Sequence, residues 1–102
     1  MKEAWEIYFE AVEREVNGRT VPDVPVEPDT DEFRAFVAAF ESARVSTAET
    51  LVENEQWSRS GATLLVEEFY KTSLDWLEHL PKLGLVGLRV RIRYRYEDWL
   101  RQ

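Results

Sequence analysis

The sequence predicts an α+β fold: about four helices in an antiparallel, bundle-like arrangement, then one long C-terminal β-strand over residues 86–96. Three observations lead there. Through most of the first 80 positions, apolar residues recur at three- and four-residue steps, the period of a half-buried helix. From Val86 onward the pattern changes. Val86, Leu88, Val90, Ile92, Tyr94 and Tyr96 fall on one parity and Arg89, Arg91, Arg93 and Arg95 on the other, the period of a strand. Finally, 102 residues with 44% hydrophobic and 13% aromatic content supply core material for one small domain, residues 1–102.

The first helix is expected over about 2–16. Trp5, Tyr8, Phe9, Val12 and Val16 share a stripe, Glu3, Glu6, Glu10 and Glu13 lie opposite, and Asn17-Gly18 supplies a left-handed stop. Residues 20–28 carry prolines at 22, 25 and 28 and read as an extended connector. Asp29 or Thr30 caps a second helix over 31–44, with Phe33, Phe36, Val37 and Phe40 on its buried side. Ser46 and Glu49 match a capping box, so a third helix is expected over 47–57. Ser58 to Gly61 is read as a break, because glycine costs about 1 kcal/mol inside a helix. A fourth helix then covers 62–80, with Leu65, Val66, Phe69, Ser73, Trp76, Leu77 and Leu80 on a broad face, and Pro81 and Gly84 end it.

The net charge of −7 is unevenly spread. Residues 1–80 hold 7 basic and 18 acidic side chains, a net of −11, whereas residues 81–102 hold 6 basic and 2 acidic ones, a net of +4. A chain polarised this way binds its own acidic part, pairs with a copy, or offers a basic stripe to an anionic partner. The expected strand lacks a good partner in its own chain, because the prolines of 20–28 permit only broken, one-sided pairing. It must pair with an extended form of residues 45–64, with a copy of itself, or with another protein's sheet. Self-pairing brings arginine rows side by side and calls for carboxylates or an anion between them.

Signals for chemistry are sparse. Without cysteine there is no thiol nucleophile or soft metal ligand, and the absence suits a reducing compartment. The one histidine, His79, follows Asp75 by four residues and reads as an imidazole near a helix C-terminus, where positive charge is favoured. Glu67-Glu68 reads as a solvated face, and Gly84 and Gly87 lack the lysine of a phosphate loop. No catalytic, metal or cofactor site is therefore assigned. No apolar run approaches the roughly 20 residues that span a bilayer, and the N-terminus is acidic, so a cytoplasmic protein with no membrane contact is expected.

The reading is a non-enzymatic, small acidic adaptor or regulatory protein that works by protein–protein contact. Its interaction residues are Val86, Leu88, Arg89, Val90, Arg91, Ile92, Arg93, Tyr94, Arg95 and Tyr96, with a homodimer ranked ahead of a complex with another protein. One alternative is a nucleic-acid-binding module using the face of Arg89, Arg91, Arg93 and Arg95. Another is an acidic inhibitor of phage or immunity type that imitates nucleic acid.

Overall fold

A computed structural model describes residues 2–79 and 81–102. The chain forms α1 (Ala4–Val16), α2 (Asp31–Asn54), α3 (Arg59–His79), a 3-10 turn (Pro81–Leu83) and α4 (Gly84–Arg101). Among the described residues there is no strand, so the expected C-terminal strand over 86–96 is corrected to a helix and the α+β class to all-α. Leu80, the last residue of the expected fourth helix, lies outside the described residues.

The helices form a four-membered ring. Each packs on the next in the chain, α4 closes against α1, and α2 and α4 occupy opposite corners. Connections of a few residues between α2 and α3, and between α3 and α4, make those neighbours antiparallel. At 1.5 Å per residue, the 24 residues of α2 span about 36 Å, which sets the 37 Å long axis.

α2 is longer than the sequence suggests. Ser46 is exposed in mid-helix rather than at a cap, and Thr47, expected to start a new helix, is buried within the same one. The capping-box residues are present, but no breaker stands between Arg44 and Thr47, and an uninterrupted helix keeps every backbone bond there. The true start is Thr30, whose hydroxyl accepts from the Phe33 N–H at 3.1 Å. The break comes at Glu55–Ser58: Gln56 takes a left-handed φ of 61° and the Trp57 N–H closes on the Leu51 carbonyl at 2.9 Å. Ser58 then accepts from the Gly61 N–H at 3.1 Å, and α3 starts at Arg59, three residues before the expected position.

The core is aromatic. The Phe69 ring lies 5.2 Å from Tyr8 and 6.3 Å from Tyr96, joining α1, α3 and α4, and Phe40 meets Trp76 edge-on at 6.4 Å between α2 and α3. The Tyr8 hydroxyl donates to Ser73 Oγ at 2.7 Å, and Ser73 donates to the Phe69 carbonyl, so both buried hydroxyls are satisfied. The proline-bearing segment runs without regular structure. It hooks buried Val26 onto the bundle through a bond from the Val26 N–H to the Leu77 carbonyl.

Candidate protein-docking face on the C-terminal helix

The period-two pattern of 86–96 was compatible with a helix for a geometric reason. Two residues along a helix turn it by about 200°, so neighbours in the apolar row land on opposite sides. Four residues turn it by about 400°, so every second member of the row stacks on one side. The row therefore splits in two. Leu88, Ile92 and Tyr96 are buried in the core, flanked by half-buried Leu85 and Trp99. Val86, Val90 and Tyr94 point outward. A lone strand would leave its ladder groups unpaired, whereas a helix satisfies them internally.

The turn before α4 sets this register. Pro81 ends α3 and is buried, and Gly84 enters α4 at a φ of +63°, which disfavours any residue with a Cβ. Gly87 faces Trp76 without a side chain: an added Cβ would lie 2.7 Å from the Leu83 Cβ and 3.6 Å from Trp76 Nε1. Close approach at Gly87 lets α4 seat on α3.

The arginine row splits as well, into two flanks. On the α3 side, Arg95 Nη2 lies 3.1 Å from Glu68 Oε2, and Arg91 pairs with Asp75, which also lies 3.2 Å from His79 Nδ1. On the α1 side, the guanidinium carbons of Arg89 and Arg93 stand 4.9 and 5.7 Å from the Trp5 ring centroid, within cation–π range. Arg93 also reaches Glu97 at 3.5 Å; among the described residues no carboxylate lies within ion-pair distance of Arg89. The polarised charge of the sequence is thus partly consumed within the fold. These pairs are partly solvated, so each contributes at most about 1 kcal/mol.

What remains outward is an apolar stripe of Leu83, Val86, Val90 and Tyr94, with 69, 71, 44 and 65% of their surfaces exposed. Val86, Val90 and Tyr94 follow one another at four-residue steps and so share one side of α4, opposite the core stripe, while Leu83 is exposed on the 3-10 turn that precedes them. Leu100 is exposed near the end of α4, and the remaining exposed large apolar residues among those described, Val24, Val45 and Leu64, stand elsewhere. Beside the stripe, a recess of about 230 Å³ opens between α1 and α4, with Trp5, Phe9, Leu85 and Val86 among its lining. A second, of about 300 Å³, continues past Arg89 along Val90, Arg93 and Tyr94.

Of the ten residues expected to form the interaction surface, Leu88, Ile92 and Tyr96 are core residues and are corrected to structural ones. Arg91 and Arg95 brace α4 on α3. Val86, Arg89, Val90, Arg93 and Tyr94 stay together on the outer side, and sequence reasoning missed Leu83 and the Trp5 platform. The signal for the helix was present as Leu85, Leu88, Ile92, Tyr96 and Trp99, a three-and-four spacing that includes positions outside the alternating row. Among the described residues no group of three or more histidine or acidic side chains is arranged to hold a metal ion, and no helix is long and apolar enough to cross a membrane. Compared with known proteins, no family model matches the chain, and no curated protein or solved structure matches it.

Proposed function

We propose that this is a non-enzymatic adaptor or regulatory protein that docks another protein on the outer side of α4. The observation that carries the reading is the second apolar stripe, Val86, Val90 and Tyr94 with exposed Leu83 on the turn before them, placed opposite the stripe that seats α4 in the core. A helix of a stable bundle needs one such stripe; a second one, exposed and bordered by charge, has the anatomy of an interface centre with a polar rim. The docking element is a helix, and the mode is helix against helix rather than strand addition.

The nucleic-acid alternative has less support. It needs a continuous basic row, whereas two of the four arginines are engaged by Asp75 and Glu68 and the others stand on the opposite flank. Photo-crosslinking in the native cell tests the docking reading. With benzoylphenylalanine replacing Tyr94, a discrete protein adduct is expected that disappears on Val90→Asp. The same probe replacing exposed Ser42 on α2 is expected to give none. Adducts of equal yield at both sites, or none from Tyr94, overturn the reading.

A further inference from the structure

Resting on that reading, we infer that the partner is a different protein, docking an amphipathic helix whose apolar stripe is bordered by acidic side chains. Charge complementarity makes the choice. Arginine borders the outer stripe on both sides: Arg89 and Arg93 toward α1, Arg91 and Arg95 toward α3. If two copies packed α4 on α4 antiparallel about a two-fold axis, each flank would meet the same flank of its mate. If they packed parallel, each flank would meet the opposite one. Either way arginine faces arginine; Arg91, Arg93 and Arg95 carry their own carboxylates, so the like charge left unrelieved across such an interface is that of Arg89, and it selects against the pairing. Of the acids on α4, Glu97 pairs with Arg93 and Asp98 with Arg101, which leaves Arg89 as the arginine that neither of them relieves.

An acid-bordered helix meets the opposite situation. Arg89 has only the face of Trp5 beneath it and its donors are open to a carboxylate. Along α4 the stripe from Val86 to Tyr94 runs about 12 Å, or two turns, which a partner helix of similar length covers. The recess of about 230 Å³ beside Val86 gives its apolar stripe a place for an anchoring side chain. Three acids line that recess from α1: Glu6 accepts from the Glu3 N–H and Glu10 pairs with Lys2, and among the described residues none of the three, Glu13 included, lies within ion-pair distance of Arg89 or Arg93.

Two designed, labelled 16-residue helices test this, one with leucines at three- and four-residue spacing bordered by glutamates, the other identical but bordered by lysines. Fluorescence anisotropy at low salt is expected to show the glutamate helix binding roughly tenfold tighter or more. That advantage shrinks with added salt, and the double variant R89E/R93E reverses the preference. Val90→Asp weakens both helices. Equal binding of the two helices overturns the charge inference while leaving the docking face standing. Binding of neither, with Val90→Asp without effect, defeats the docking face itself. A wild-type mass near 24 kDa, twice the 12.0 kDa chain, that returns to monomer on Val90→Asp would make a second copy the partner and overturn the inference. Tighter binding to phosphatidylserine vesicles than to the glutamate helix would overturn it in favour of a membrane surface.

Discussion

Replacing Ile92 and Val90 by alanine, one at a time, separates a helical from an extended C-terminal segment by stability alone. In a strand the two side chains share a face, so both truncations would cost similar amounts. In the structure Ile92 is fully buried and Val90 is 44% exposed. Ile92→Ala removes three carbon atoms; at about 0.8 kcal/mol per buried methylene the transfer loss is about 2.4 kcal/mol, and the cavity raises it to about 3. Val90→Ala loses little burial and gains helix propensity, so its effect stays within about 0.5 kcal/mol. Urea unfolding followed by far-UV circular dichroism reads both. With a slope of about 1.5 kcal/mol per molar, Ile92→Ala lowers the midpoint by about 2 M and Val90→Ala moves it by less than about 0.4 M. If Ile92→Ala fails to fold, Ile92→Val substitutes at about 1 kcal/mol. Equal midpoint shifts for the residue-90 and residue-92 alanines would refute the helical register.

Five further substitutions follow from the fold. Ser46→Ala leaves stability unchanged or raises it by about 0.5 kcal/mol, because Ser46 stands in mid-helix, while Thr30→Ala costs about 1 kcal/mol as the loss of a working cap; thermal unfolding distinguishes them. Gly87→Ala lowers the melting temperature despite alanine's better helix propensity, since its Cβ would meet the Leu83 Cβ at 2.7 Å, and a rise in melting temperature would mean α4 is not seated so closely. Gln56→Gly relieves a left-handed φ of 61° and stabilises by about 1 kcal/mol in chemical denaturation. Burial, partly opposed by the bond to Ser73, pushes the Tyr8 hydroxyl well above its ordinary value near pH 10. Above pH 10 the unfolded chain releases this proton more readily than the fold, so stability present below pH 10 is lost as pH rises; Tyr8→Phe reduces that alkaline loss at a cost of about 1 kcal/mol at pH 7.

The helices that carry a wide apolar stripe beside a clear stop were legible. Trp5, Tyr8, Phe9, Val12 and Val16, with Asn17 as a left-handed cap, mark α1 in the sequence, and the helix runs from Ala4 to Val16. The broad face of Leu65, Val66, Phe69, Ser73, Trp76 and Leu77 belongs to α3 and is buried throughout. Boundaries set by short-range chemistry were less legible, because Ser46 and Glu49 suit a cap and a helix interior alike when nothing between Arg44 and Thr47 breaks the helix. The largest error came from the clearest pattern. A perfect alternation contains a period of four, so Leu88, Ile92 and Tyr96 satisfy a strand face and a helix stripe equally. Tertiary burial against α1 and α3, and the lack of an extended partner for the backbone, decide between them. The outward residues of the expected surface survive because Val86, Val90 and Tyr94 are the members of the row that the core does not take.

Docking on the outer side of α4 requires residues 86–96 to form one helix with two apolar sides. Backbone assignment by nuclear magnetic resonance, reading the Cα shift of each residue from 84 to 101, tests this most directly. An unbroken run of downfield helical shifts, with amide contacts between successive residues, is the result predicted. Upfield shifts across 86–96 with cross-strand contacts would contradict it, returning the four arginines to one face and removing the outer stripe.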